Sequence, residues 1–437
     1  MSRPTTQAAW LAYLETLHPK AIAMGLDRVE AVRARMGTTL ACPVVTVGGT
    51  NGKGSTCALL ESMFAAAGFR TGLYSSPHLL RYNERVRIGG REATDALLVS
   101  AFEAVEDARV AASGVPTPLT YFEFGTLAAL WLFARAGLDV VVLEVGLGGR
   151  LDAVNIVAAD VAVITSIDLD HMDFLGPTRD DIAREKAGIF RAGRPVVCAE
   201  PDPPVPLVGH AATLGAPLVL LGRDYGYVAE ATQWQYWGPA GKRFGLPHPA
   251  LRGAHQLANA ATALAVLDLL HARLPVAGGA IRDGLLAIAL PGRFQVLPGR
   301  PTVVLDVAHN PHAAQVLAAA AGRMGFHPRT FAVFGMLADK DIAGVVAAIG
   351  PRIDSWYVAT LPRPRGASAA ALQAVLGGAG VAPAAIRAFD DVAAALAAAR
   401  GDAGEADRII VFGSFLTVAA ALAALERGAA SRAPRHG

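Results

Sequence analysis

Short β-branched and aliphatic runs alternate along the chain with longer Ala/Leu-rich segments, the pattern of a mostly parallel sheet covered by helices, and predict an α/β fold. In the first part the runs predict strands at Pro43 to Val47, Val140 to Val145, Val161 to Ile167 and Pro195 to Ala199. Ser55 to Ala67 reads as the helix after the first strand, stopped by Gly68. Near Tyr225 the texture changes. DYGYVAEATQWQYWG is aromatic and alternates roughly every second residue, which predicts an antiparallel hairpin or meander at the edge of the first domain, there for packing. HQLANAATALAVLDLLHA then reads as a helix, and PGRFQVLPGRP, rich in Pro and Gly with little apolar periodicity, marks a domain boundary near Gln295. Beyond it TVVLDVA, TFAVFGM, SWYVAT and RIIVFGS form a second strand series separated by Ala-rich helical segments. The expected layout is a larger, mostly parallel-sheet domain over residues 1–294 and a smaller Rossmann-like α/β domain over residues 295–437, with a cleft between them. SRAPRHG at the end reads as a frayed tail.

Composition narrows the chemistry. The chain has 437 residues, 53% hydrophobic and 17% charged, which suits a globular protein and argues against disorder. A net charge of +2 with both signs interspersed gives no strong field for nucleic acid or an anionic membrane, so neither is an expected partner. Any anionic ligand has to be held locally. Cys42, Cys57 and Cys198 are odd in number and lack C-x-x-C spacing, which points to a reducing compartment and away from a disulfide framework or a zinc site. MSRPTTQAAWLAYLETLHPK has no basic region followed by an apolar core, so a cytoplasmic location is expected. Val205 to Gly222 and Gly366 to Ile386 are weakly charged but broken by Pro and Gly, and read as loops and short buried elements, not membrane spans.

Four stretches carry chemistry. VVTVGGTNGKGST, Val44 to Thr56, runs from a strand into a helix through a glycine-rich turn bearing Lys53. It departs from G-x-x-x-x-G-K-[ST] at Val47 and Gly54, yet freed backbone N–H groups, a helix N-terminus and a lysine still direct positive charge at one spot, a triphosphate cradle. In VVVLEVGLGGRLDAVN, Glu144 ends an apolar strand, where a carboxylate is costly without a cationic partner, and it reads as a magnesium ligand; Gly146, Gly148 and Gly149 would let the backbone approach a ligand. ITSIDLDHMDFLG sets Asp168, Asp170, His171 and Asp173 at the same carboxyl edge, each aspartate also readable as a solvated turn residue. In DIAREKAGIF, Arg184, Glu185 and Lys186 read by themselves as a charged helix face.

GTNGKGS, SSPHLLRYNERVRI, FEFGTLAAL, LEVGLGGRLDAVN, ITSIDLDHMDFLG, REKAGIF, GAHQLANAATA, LPGRF, LDVAHNP, FGMLADKD and FGSF follow one another from Leu17 to Leu416. Together they resemble the folylpolyglutamate synthase / dihydrofolate synthase family of the Mur ligase superfamily. The superfamily's loop is G-T-N-G-K-[GT]-[ST], so this loop is a different version and not a damaged one. The resemblance implies a P-loop-type ATPase domain in which Asn51, Gly52, Lys53 and Gly54 hold the triphosphate and Ser55 adds a hydroxyl. Asn259, Arg293 and Asp306 match residues that contact ATP, Asp306 across the cleft, with His309 a further candidate. Ser76, Glu144, His171 and Lys186 match the ligands of two magnesium ions, Lys186 as the lysine that the superfamily carbamylates with carbon dioxide. Lys53, Lys186 and His171 are the expected catalytic residues.

The same resemblance matches Thr16, Leu17, His18 and Pro19, Thr120, Tyr121, Phe122 and Glu123, and Leu151, Asp152 and Ala153 to dihydropteroate-binding segments, which favours a bifunctional enzyme. The implied reaction adds L-glutamate to dihydropteroate, and to the glutamate tail of reduced folates, by way of ATP and an acyl phosphate, on a monomer. Ser414 in FGSF is a candidate glutamate contact. Rival readings are a folylpolyglutamate synthase alone, a cell-wall Mur ligase, and a nucleotide-binding regulatory module; the metal and lysine set argues against the last.

Overall fold

The runs VVTVG and VVVLE lie side by side as parallel strands, Val45 opposite Val142 and Val47 opposite Glu144, and every residue of both is buried. Strands covered on both faces tolerate such runs because neither face meets water. The computed structural model describes residues 3–20, 22–110 and 115–430, so the C-terminal SRAPRHG lies outside the described residues. Two units divide the chain: residues 1–250 with 256–288, and residues 251–255 with 289–437.

The first unit holds an eight-stranded sheet of β1 (Val44–Gly48), β2 (Thr71–Tyr74), β3 (Val86–Ile88), β4 (Arg91–Glu92), β5 (Val140–Glu144), β6 (Val161–Ile164), β7 (Val196–Cys198) and β8 (Leu218–Leu220). Their order is β4-β3-β2-β5-β1-β6-β7-β8, antiparallel only at β2/β3 and β3/β4. Its helices include α1 (Gln7–Leu14), α2 (Asp27–Met36), α3 (Lys53–Ala66), α4 (Asp95–Val110), α5 (Tyr121–Arg135), α6 (Met172–Leu175), α7 (Arg179–Ala187), α8 (Val205–Thr213) and α9 (His255–Leu270). Trp10 of α1 packs ring to ring with Phe102 of α4 and Phe124 of α5, at 6.0 and 6.3 Å between centroids. Burying each such side chain contributes about 1.5–3 kcal/mol.

Several boundaries differ from the sequence reading. β6 stops at Ile164 and not Ile167, because Thr165 and Ser166 turn away to bond the phosphate loop. The stretch from Val205, expected as loops and short buried elements, contains α8, with Pro206 in its first turn, where a missing N–H costs nothing. The aromatic segment forms a separate antiparallel sheet of β9 (Gly226–Ala229), β10 (Gln233–Gly238) and β11 (Gly241–Pro247), anchored where Tyr236 Oη and Arg243 Nη2 meet Asp268 of α9 at 2.7 and 2.5 Å.

The second unit carries a six-stranded sheet of β12 (Gln295–Leu297), β13 (Thr302–Leu305), β14 (Thr330–Phe334), β15 (Ser355–Ala359), β16 (Ile386–Phe389) and β17 (Arg408–Phe412), ordered β12-β13-β17-β14-β15-β16 and parallel except for β12. β12 lies within PGRFQVLPGRP, while the stretch from Gly366 holds the helix Ala369–Gly378 and ends at Ile386, where β16 begins. Both strands are short and sit at the sheet edges, where few apolar residues are required and the pattern is weak. Among the described residues no helix is long and apolar enough to cross a membrane.

Candidate active site

β1 ends at Gly48 and α3 begins at Lys53, so Gly49 to Gly52 make the turn. Gly49 has φ 141°, and a Cβ there would collide with Thr165 Oγ1, so the position requires glycine. The turn is pinned to the end of β6: Thr50 N donates to Ser166 O (2.8 Å), Asn51 N to Ser166 Oγ (2.9 Å), and Thr165 Oγ1 to Asn51 O (2.6 Å). Gly54 and the buried Ser55 fall in the first turn of α3, whose free N–H groups suit an anion. Asn259 of α9 is buried close to the loop; a Cβ built on Gly52 would lie 2.8 Å from its Oδ1.

Two lysines converge on one carbonyl. Lys53 Nζ donates to Gly49 O at 3.0 Å and to Thr50 O at 3.1 Å, while Lys186 Nζ, from the last turn of α7, donates to Gly49 O at 2.9 Å. Burial, and then the charge of Lys53, push Lys186 down from its usual 10.5 to about 7, opposed by Asp170 and Asp152. The charged run on α7 therefore splits. Arg184 and Glu185 pair with Asp181 and Arg150, each at 2.8 Å, as a helix face does, but Lys186 is 4% exposed. Gly149 is needed for this packing: a Cβ there would lie 2.9 Å from the carbonyl oxygens of Glu185 and Lys186. The close approach is thus to α7, where the sequence suggested a ligand.

Glu144, buried at the end of β5, accepts the N–H of Ser76 on Oε2 at 3.1 Å. Ser76 and His171 line one cavity. His171 has φ 53°, a left-handed conformation uncommon outside glycine, and its N–H donates to Asp170 Oδ1 at 2.9 Å. Asp168 Oδ1 accepts from Leu169 N at 2.7 Å, and Asp173 is exposed. Among the described residues no group of three or more His, Cys, Asp or Glu could hold a metal by itself. Ser76, Glu144 and His171 offer two oxygens and an imidazole, a set that fits a magnesium ion taking its other ligands from phosphate and water. A Lys186 ammonium cannot ligate a cation.

The cavity measures about 250 Å³. Of the residues matched to dihydropteroate binding, Thr120, Phe122, Glu123, Leu151, Asp152 and Ala153 line it; Thr16, Leu17, His18, Pro19 and Tyr121 do not. Leu17 packs on the core, and the N-terminal wall comes from Ile22, Ala23 and Met24. Thr120 and Glu123 form a capping box at the start of α5, Glu123 N to Thr120 Oγ1 at 3.2 Å and Thr120 N to Glu123 Oε2 at 2.7 Å. The other oxygen of Glu123 pairs with Arg28 at 2.7 Å. Burial raises Asp152 to about 6 although the backbone N–H groups of Leu147, Val154 and Gly146 oppose it.

Arg85, not singled out from sequence, also lines the cavity. Its guanidinium lies 5.4 Å from the Tyr82 ring centre and 5.5 Å from that of Tyr121, and Nε donates to His78 Nδ1 at 2.8 Å. Burial and then Arg85 push His78 down to about 4, which keeps the imidazole a neutral acceptor. SSPHLLRYNERVRI contains Arg81, Arg85 and Arg87, and nothing in their spacing separates them.

In the second unit, Asp306 follows β13 and accepts from Phe294 N and Ala308 N, each at 2.8 Å. Burial raises its pKa, while Arg293 lowers it. Arg293 lies 5.4 Å from the Phe415 ring centre, and the His309 ring lies 6.2 Å from the same ring. Ser414 is buried and its hydroxyl accepts Thr417 N at 3.0 Å, a bond inside the unit.

The Mur ligase middle domain model matches residues 47–267, and the Mur ligase glutamate ligase domain model matches residues 292–415. The dihydrofolate synthase/folylpolyglutamate synthase of Escherichia coli (strain K12) is 50% identical over 416 residues, 94% of either chain. The chain belongs to the dihydrofolate synthase/folylpolyglutamate synthase family. A structure of E. coli FolC in complex with DHPP and ADP is similar with a TM-score of 0.91 at 48% identity, over 97% of this chain and 99% of that one. A bifunctional folylpolyglutamate synthase/dihydrofolate synthase with Mn, AMPPNP and L-glutamate bound is similar with a TM-score of 0.87 at 49% identity, over 97% and 98%. Members of this family are ATP-dependent ligases that add glutamate to dihydropteroate and to folates, and neither the polyglutamate-only nor the cell-wall reading is favoured.

Proposed function

We propose that this ligase adds L-glutamate to dihydropteroate, giving dihydrofolate, and to the glutamate tail of reduced folates, using the cavity lined by Ser76, Phe122 and His171 for both. The convergence of Lys53 and Lys186 on the Gly49 carbonyl, near a cavity lined by Ser76, Asp152 and His171, supports the reading. A substrate carboxylate oxygen attacks the γ-phosphorus of ATP and ADP leaves; the amine of glutamate then attacks the acyl carbon, and phosphate leaves with its oxygen. Thr120, Phe122, Glu123, Leu151, Asp152 and Ala153 hold the pterin portion. Asn51, Gly52, Gly54 and Ser55 offer donors to the triphosphate, and Lys53 exchanges its loop carbonyls for phosphate oxygens as charge moves.

Bound magnesium would offset charge on the transferring phosphoryl group, held by Ser76, Glu144 and His171. Lys186, buried beside a second cation, adds carbon dioxide as the free amine and loses a proton, so that a carbamate anion replaces the ammonium and can serve a second ion. Asn259, Arg293 and Asp306, with His309, are assigned to ATP. The enzyme is assigned to the cytoplasm as a monomer. Product analysis with dihydropteroate and tetrahydrofolate offered separately tests bifunctionality: both should gain glutamate. Extension of tetrahydrofolate alone would leave only the polyglutamate activity.

A further inference from the structure

Of the three arginines in SSPHLLRYNERVRI, two are paired with carboxylates: Arg81 with Glu92 at 2.5 Å and Arg87 with Glu61 at 2.9 Å. Arg85 pairs with none among the described residues. Its backbone carbonyl accepts Ser75 N at 2.9 Å, which sets it beside Ser76. Its side chain lines the substrate cavity, where no other lining residue is an arginine or lysine. Nε is held by His78 and the guanidinium lies against the rings of Tyr82 and Tyr121, but Nη1 and Nη2 have no partner among the described residues. Neither is sealed away, as the unpaired Nε of Arg28 is. The acids of the cavity are engaged elsewhere: Glu123 pairs with Arg28, and Asp152 accepts from Leu147 N and Val154 N at 2.8 and 3.0 Å. A guanidinium anchored at Nε and along its faces, with its fork open, is preorganised for a planar anion held by two parallel bonds.

On the proposed reading two acceptors enter this cavity, and they differ in charge. Dihydropteroate carries a single carboxylate, the one that reacts, whereas a reduced folate carries two on its terminal glutamate, of which one reacts. The reacting carboxylate has to reach the phosphoryl group, and with both oxygens held in an arginine fork it would attack phosphorus poorly. The second carboxylate needs a cation of its own, since a charge enclosed without a partner is costly. We propose that Arg85 holds the α-carboxylate of the acceptor folate's terminal glutamate while the γ-carboxylate reacts. Arg85 is then a specificity-determining residue: it serves the extension of folates and has no second carboxylate to bind in dihydropteroate. The inference rests on the ligase reading and adds the residue that separates its two acceptors.

The test sets residue against carboxylate, reading kcat/KM for ADP release with tetrahydrofolate and with its α-amide, in which the α-carboxylate alone is neutralised. In the wild-type enzyme the amide should lower kcat/KM about thirtyfold, mostly through KM; in Arg85→Met the same replacement should lower it less than about threefold. Arg85→Met should also lower the ratio of kcat/KM for tetrahydrofolate to that for dihydropteroate about thirtyfold. In Arg85→Lys, which keeps the charge and loses the fork, the amide should lower kcat/KM about fivefold, and this variant decides the matter if Arg85→Met does not fold. The proposal is overturned if the amide is as unfavourable in the variants as in the wild-type enzyme, or if tetrahydrofolate and dihydropteroate suffer equally. It is also overturned if the KM for L-glutamate rises in place of that for tetrahydrofolate. The amide comparison uses no dihydropteroate, so it still decides for an enzyme that extends folates alone, where the bifunctional reading fails by itself.

Discussion

The start of α3 and the end of α7 each send a lysine to the carbonyl of Gly49, and the two lysines are in opposite circumstances. Lys53 stands at a helix N-terminus, where the macrodipole disfavours a cation, and is only partly buried. Lys186 lies in the last turn of its helix, where the dipole favours a cation, yet burial lowers its pKa to about 7. Desolvation outweighs the dipole because a dipole contributes about 0.3–1 kcal/mol at an exposed end, whereas full burial shifts a pKa by up to several units, each about 1.4 kcal/mol. Helix position therefore does not decide the charge of Lys186; burial does. On the proposed reading the pair divides the labour, with Lys53 remaining positive toward phosphate and Lys186 becoming negative as a carbamate.

Breaking the Lys186 side should have the largest effect. Lys186→Ala is expected to lower kcat for ligation by about a thousandfold or more, with partial recovery on adding formate or acetate; turnover assays of ADP release check both. Full activity in the variant would remove the role. Lys53→Ala should lower kcat by about a hundredfold to a thousandfold, and small carboxylates should not restore it, which separates the two lysines cleanly. Glu144→Gln should raise the magnesium concentration needed for half-maximal turnover by about tenfold, since a charge-assisted oxygen ligand is lost, while Lys53 remains in place.

The comparison also has a pH signature. Only the neutral amine adds carbon dioxide, and with a pKa of about 7 the neutral fraction of Lys186 rises as pH increases through 7 and saturates above it. Enzyme stripped of carbon dioxide should regain activity faster as pH rises through about 7, at fixed dissolved carbon dioxide, reaching half its limiting rate there and levelling off about one unit above. A rise centred near the ordinary lysine value would show Lys186 to be unperturbed. The smallest expected effect is Glu123→Gln: glutamine preserves the capping box, but the pair with Arg28 is lost, so the KM for dihydropteroate should rise a few-fold, about 1 kcal/mol, with kcat little changed.

Much of this site is legible in sequence because its demands are local. Gly49, Gly52 and Lys53 sit in one turn, and Glu144 ends a wholly apolar strand, where a carboxylate stands out. The burial of Lys186 is not legible from α7 itself, since Arg184, Glu185 and Lys186 differ only in which way the helix turns them. Only the resemblance marked the lysine in advance. Arg85 and Arg28 are set by contacts across 7 and 95 positions of sequence, with His78 and Glu123, and carry no local signature. Edge strands such as β12 and β16 were hidden for a different reason: an exposed edge needs few apolar residues.

The central claim is that Lys186 carries a carbamate beside a phosphate-binding Lys53. Carbon-13 NMR of active enzyme equilibrated with labelled carbon dioxide tests it most directly. The account predicts one slowly exchanging carbamate resonance that is absent from Lys186→Ala and unaffected by Lys53→Ala. Full ligase activity with no such resonance, or a resonance that survives in Lys186→Ala, would contradict it.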